Sequence, residues 1–167
     1  MADSPVLIAV RVTMKASERI VGLASLDLAS KCFAFGSYAD DERYTTVEAL
    51  LMQLGCKECI IPGGEQSLEE RHLSEVFQRC NILCSEVPKQ HFVGRNVAQD
   101  MGRLLRKEEE LQHAEKFEEE TSSSALAAII QYTDVLANIS DHGSFTLQDI
   151  DVGRFMRLDA AAMRALH

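Results

Sequence analysis

Hydrophobic residues along this chain follow two periods, and the switch between them separates the first three elements from those that follow. Val6 to Met14, "VLIAVRVTM", is rich in β-branched residues and predicts a strand. Its first half is apolar at consecutive positions, the pattern of a central strand covered on both faces. Lys15 to Glu18 is a polar turn, and Arg19 to Leu26, "RIVGLASL", and Lys31 to Tyr38, "KCFAFGSY", predict a second and a third strand. The joins "MKASE" and "DLAS" are short, which favours antiparallel neighbours. The period then lengthens. Val47, Leu50, Leu51 and Leu54 fall at i, i+3, i+4 and i+7, one face of a helix. Thr45 and Glu48 have capping-box spacing, and Gly55 stands where a helix C-terminal glycine belongs.

A short apolar run, Cys59 to Ile61, closed by Pro62-Gly63-Gly64, predicts a buried strand ending in a loop. Ser67 and Glu70 repeat the capping-box spacing, and Leu73, Val76, Phe77 and Cys80 repeat the helical stripe. "NILCSEV", Asn81 to Val87, predicts a fifth strand stopped by Pro88. The order β-β-β-α-β-α-β is an antiparallel meander followed by two crossover units, and crossovers are right-handed. The fold class is therefore α/β, with a five-stranded mixed sheet in the order 3-2-1-4-5 and helices on both faces. This is the ribonuclease H-like architecture.

Beyond Pro88, "KQHFVGRN" predicts a loop, and Asn96 a cap for a helix carrying Val97, Met101, Leu104 and Leu105. Arg106 to Glu120, "RKEEELQHAEKFEEE", holds seven glutamates and is expected to be a solvated helix extension or loop outside the core. "SSSALAAIIQYTDVLANIS" predicts a helix with Leu126, Ile129, Ile130 and Leu136 on one side. Asp141 to Ser144 turns, Phe145 to Val152 is extended, and Asp159 caps a last helix that stops at His167 after about two turns.

Composition narrows the class of molecule. Apolar residues make up 46% and charged residues 26% of 167 positions, the balance of one globular domain with a real core. No apolar run reaches the roughly 20 residues that span a bilayer, and the start "MADSPVLIAV" lacks the pattern of a signal peptide. A cytosolic or nuclear setting is expected, in which five cysteines are reduced thiols. A net charge of −9 suits DNA binding poorly, because phosphates are held by Lys and Arg.

Five groups of residues invite a chemical reading. Cys56 and Cys59 have C-x-x-C spacing, but no second knuckle and no nearby histidine completes a zinc site. The pair also follows a helix C-terminus, where the dipole does not lower a thiol pKa. Core packing and a turn are the expectation, with the buried strand starting near Cys59; Cys80 and Cys84 flank the entry to the fifth strand. A divalent-metal ribonuclease H-like nuclease is the alternative function. It requires an aspartate on strand one, whereas "PVLIAVRVTMK" has no acid, and Glu48 and Glu65 cannot cradle two metal ions without it. Gly63-Gly64 is a turn, since no G-x-x-x-x-G-K-S/T phosphate loop occurs. Lys89, Arg95, Arg103, Arg106 and Lys107 form a basic stretch without aromatic interleaving, expected to be a solvated face. His72, His91, His113, His142 and His167 show no ligand spacing.

Two stretches together carry a family resemblance. "TVEALLMQLGCKECIIPGGE", 46–65, and "GRFMRLDAAAMRALH", 153–167, resemble the connector domain (domain II) of eukaryotic MutS homologues and its junction with the lever and core domain. "RIVGLASLDLASKCFAFGSYADDERYTTVEALL" resembles the same domain in order and spacing. The resemblance implies a connector over 1–153 and the truncated start of the lever and core domain over 154–167. It implies a non-catalytic role in DNA mismatch repair, coupling a mismatch-binding domain to the core and ATPase. It also implies a docking surface for MutL-family proteins, a second MutS-homologue subunit in a heterodimer, mismatched DNA held by other domains, and a nuclear location. ATP and magnesium would belong to the parent protein. No catalytic, cofactor or metal residue is expected within this chain and no membrane contact; its partner-binding residues are unknown, with Lys89 to Asn96 and Asp40 to Tyr44 equally eligible.

Overall fold

The computed structural model describes residues 6–64, 67–109, 117 and 119–150. Six strands are formed: β1 (Val6–Lys15), β2 (Glu18–Asp27), β3 (Cys32–Asp40), β4 (Cys56–Pro62), β5 (Leu83–Val87) and β6 (Thr146–Asp149). They make a single mixed sheet in the order β5-β4-β1-β2-β3-β6. β1, β2 and β3 are an antiparallel meander, and β4, β5 and β6 each pair in parallel. The β1–β2 loop is two residues, Ala16 (φ 49°) and Ser17 (φ 69°), both left-handed as a tight hairpin of this twist requires.

The expectation of five strands is corrected to six. β6 adds to the outer edge of β3, from Cys32↔Thr146 to Phe35↔Asp149. Its sequence, "TLQD", has one apolar residue and no period, so its strand character comes from pairing with a distant segment. β4 also starts earlier than expected. Cys56 already pairs with Val6, and the register shifts before Leu7↔Glu58, so Cys56 to Glu58 is an irregular strand start and not a turn. β5 starts later, at Leu83, and Lys89–Phe92 is a 3-10 turn, not an open loop.

The α-helices whose bounds lie within the described residues are α1 (Thr45–Leu54), α2 (Leu68–Arg79), α3 (Val97–Leu104) and α4 (Glu120–Thr133). α2 is capped as its sequence predicts, with the Glu70 amide donating to Ser67 Oγ at 3.2 Å. α1 is not. Its N-cap position is Tyr44, in the left-handed conformation, and no side chain there caps it. The orphan amides instead reach carboxylates at the end of β3. Thr45 N donates to Asp41 Oδ1 (3.1 Å), while Thr46 N and Val47 N donate to Asp40 (3.2 and 3.0 Å). An ionised acceptor at a helix N-terminus also meets the positive end of the dipole. Gly55 closes α1 at φ 68°, as expected. Asn96 stands at the N-cap of α3 without a side-chain cap bond.

The sheet divides two cores. Ile8, Val10, Val12, Val21, Leu23, Cys59 and Ile61 face α1 and α2. Ala9, Ala24, Leu26, Phe33, Phe35 and Ile60 face α3 and α4. Ile8, Ala9 and Val10 are all buried, which is the two-sided cover read from the first half of β1. The one-sided stripe expected of α4 is corrected, because every residue from Thr121 to Ile130 is buried. Its acidic approach is corrected as well. Phe117 is buried against Phe35, ring centroids 5.6 Å apart, and Glu119 accepts from Thr121 N (3.1 Å) and Ser122 N (2.7 Å). The end of the glutamate-rich stretch thus belongs to the core and to the α4 cap. The boundary at 153/154 and the helix capped by Asp159 lie outside the described residues.

α4 can be buried on all sides because its first two turns are small residues with satisfied hydroxyls. Ser123 Oγ donates to Phe117 O (2.6 Å), Ser124 Oγ to Glu120 O (2.8 Å) and Ser122 Oγ to Glu119 (2.7 Å), while Thr121 meets Thr13 (3.3 Å). The backbone comes so close to β2 that a Cβ on Gly22 would lie 2.3 Å from Thr121 O. Gly22→Ala is therefore expected to lower unfolding free energy in urea titrations by about 1–3 kcal/mol, the range for an overpacked core. Asp40→Ala is expected to cost about 1 kcal/mol, as helix caps do, and Thr45→Ala to leave the urea midpoint nearly unchanged.

Candidate functional site

The sequence candidates do not converge. Cys56 and Cys59 are both buried in β4, and Cys59 is in direct register with Cys84 of β5. Burial pushes the Cys56 thiol up to about 12 and Cys84 up to about 11; burial also raises Cys59 and Cys80. These are protonated thiols at neutral pH, poor nucleophiles and poor ligands. Cys56 Sγ donates to Glu58 O at 3.2 Å, a local bond within the strand start. The five cysteines are free.

The carboxylates expected of a nuclease are not assembled at β1. Its α4-facing side presents Ala9, Arg11 and Thr13, so a cation stands in the middle of the strand. Glu48 faces the α1–α2 seam and accepts from Cys80 Sγ at 3.6 Å, and Glu65 lies outside the described residues. Among the described residues no three or more His, Cys, Asp or Glu side chains come together as a metal site. The Gly63-Gly64 turn holds β4 to β5 through Gly63 N donating to Val87 O (2.7 Å), and Gly64 has φ 87°. A cavity of about 490 Å³ opens there, beside Glu86 and Lys89.

The basic stretch is dispersed. Lys89 lines that cavity and Arg95 a different one. Arg103 and Arg106 use their backbones to hold the segment before β6: Gly143 N donates to Arg103 O and Arg106 N to Phe145 O, each at 3.0 Å. His142 Nε2 is 2.9 Å from Leu136 O, and His113 and His167 lie outside the described residues. Among the described residues no helix is long and apolar enough to cross a membrane.

Two polar constellations are built that periodicity did not reveal. In the first, Tyr44 is fully buried and donates its hydroxyl to Glu69, which also accepts from Arg19 Nε at 3.0 Å. This joins β2, the start of α1 and the first turn of α2. The Tyr44 bond, with Arg19 behind it, holds the Glu69 carboxyl below the usual glutamate range, and burial raises the Tyr44 phenol. In the second, Arg11 Nη1 donates to Phe92 O (3.3 Å) and Ser124 Oγ (2.9 Å), at the edge of a cavity of about 440 Å³. Its signal in the sequence is a charged residue in a strand otherwise read as covered on both faces. The loops Asp40 to Tyr44 and Lys89 to Asn96 each border one of these constellations.

Comparison with known proteins decides the family. The family model for MutS domain II matches residues 5–139. The chain belongs to the MutS domain II family. It is 35% identical to the DNA mismatch repair protein MSH2 of Zea mays over 168 residues, covering 100% of this chain and 18% of that protein. Against MSH2 of Arabidopsis thaliana the identity is 33% with the same two coverages. Against MSH2 of Saccharomyces cerevisiae it is 28%, over 89% of this chain and 16% of that protein. This MutS domain II is thus the connector domain of an MSH2-like protein of DNA mismatch repair, and the chain spans less than a fifth of the length of those relatives. A connector domain is not itself a known catalytic unit.

For this MutS domain II, Cys56 and Cys59 are expected to resist iodoacetamide at pH 8 in the folded chain and to react once it is unfolded, as mass spectrometry of labelled peptides would show. The Glu69 contribution to stability is expected in full above the ordinary glutamate pKa of about 4.3. It is lost as pH falls through the lower value of the folded state. Glu69→Gln should therefore flatten the acid limb of stability against pH, measured by urea titration from about pH 3 to pH 7.

Proposed function

We propose that this MutS domain II is a non-catalytic connector of ribonuclease H-like fold. It couples the mismatch-binding domain of a nuclear mismatch-repair protein to its core and ATPase, and it offers a docking surface to MutL-family proteins. The match to MutS domain II over residues 5–139 carries the reading. The architecture supports it physically. A sheet covered on both faces, with α4 seated against β2 without room for one methyl group, moves as one body. Rigid-body displacement is the way an ATP-driven change at a distance would reach a surface here. The parent protein would bind ATP with magnesium, pair with a second MutS-homologue subunit and hold mismatched DNA through its other domains.

The folded 167-residue chain is expected to be retained by an immobilised MutL-family protein, with a dissociation constant on the order of tens of micromolar, an affinity ordinary for a transient contact. Surface plasmon resonance checks this. A flat response with a chain shown to be folded by circular dichroism would remove autonomous docking from the reading.

A further inference from the structure

Arg11 projects from β1 onto the face that α4 covers. Its two hydrogen bonds both come from Nη1 and both go to neutral acceptors, Phe92 O and Ser124 Oγ. No carboxylate pairs with it among the described residues. The side chain is only partly exposed, and among the described residues no carboxylate offsets the partial loss of water around its charge, which costs free energy. The rest of the guanidinium fork has the donor geometry that matches a carboxylate. Arg11 borders the 440 Å³ cavity, whose wall includes Arg95, Val93, Phe117 and Glu120. Arg95 is exposed, and Val93 presents an apolar side chain that is 51% exposed.

We propose that this cavity docks an acidic peptide segment of a partner protein: one carboxylate pairs with Arg11, and a neighbouring apolar side chain lies on Val93. Charge complementarity selects the occupant. Among the described residues of its wall two arginines face one glutamate, an excess of a single positive charge, which suits one carboxylate. A nucleic-acid backbone needs a row of cations, and the described residues of this wall supply two, Arg11 and Arg95. The volume suits a carboxylate and one adjoining side chain, at the lower end of the roughly 300–1,000 Å³ common for binding cavities. The inference rests on the cavity alone and does not require the partner to be a MutL-family protein.

The test titrates the 167-residue chain, at about 0.15 M salt, with fluorescein-labelled acetyl-Asp-Glu-Leu-Phe-amide and its neutral counterpart acetyl-Asn-Gln-Leu-Phe-amide. Fluorescence anisotropy gives affinity, and two-dimensional NMR gives location. The acidic peptide is expected to bind about tenfold more tightly than the neutral one, the worth of one charge-assisted pair. The largest shifts should fall on Val93, Gly94 and the Arg11 Nε–H. Arg95→Gln, on the exposed rim, should weaken the acidic peptide about threefold and leave the melting temperature unchanged. Arg11→Lys keeps the charge, loses the fork and should weaken it further. Equal affinity for the two peptides, shifts elsewhere on the surface, or preference for a labelled DNA duplex over the acidic peptide would each overturn the proposal.

Discussion

A close approach between α4 and β2 sets the terms for the rest of the molecule. The Thr121 carbonyl occupies the space a side chain at position 22 would need. Only glycine on the strand and small residues on the helix permit that distance. Once α4 lies there, its hydroxyls must bond to itself, to Phe117 O, to Glu119 and to β1, because little water reaches them. Its all-round burial then fixes what surrounds it. Phe92 and Gly94 pack at one side, with a Cβ at 94 falling 3.2 Å from the Ser123 backbone, and α3 and the segment leading to β6 pack at another. A short contact between backbones thus organises residues far apart in sequence.

The opposite face is held differently. α1 and α2 each show an amphipathic stripe, and their shared seam is fixed by Tyr44, Glu69 and Arg19 more than by close backbone packing. The two faces divide the labour, since one rests on close backbone packing beside the Glu119 cap while the other is joined by a charged bond between helices and strand that weakens in acid. Both faces hold the sheet between helices, so a slip on either side would disturb one of the two cores.

The legible parts of the fold were those written locally. The stripe of Val47, Leu50, Leu51 and Leu54, the Ser67 cap, the Gly55 stop and the uninterrupted apolar start of β1 each report a residue's immediate surroundings. What stayed hidden depends on partners distant in the chain. β6 falls within the stretch read as extended, Phe145 to Val152, but its place in the sheet depends on the edge that β3 offers, and α1 is capped by acids four to seven residues upstream of the amides they serve. Glu119 looked like one more glutamate in a solvated run until its carboxylate met two amides. Arg11 drew no separate reading in the sequence, and nothing local places it beside Arg95 and Ser124. The thiols were readable, because a C-x-x-C after a helix end lacks the field that would activate it.

The sheet's two margins have a further consequence. Among the described residues the outer strands are β5, five residues ending at Pro88, and β6, four residues. Both are much shorter than the ten-residue β1 and β2 at the centre. A long bare strand is a template on which another chain can crystallise its own backbone. By letting brief strands stand guard over long ones, the sheet leaves little described edge for a second copy to pair with.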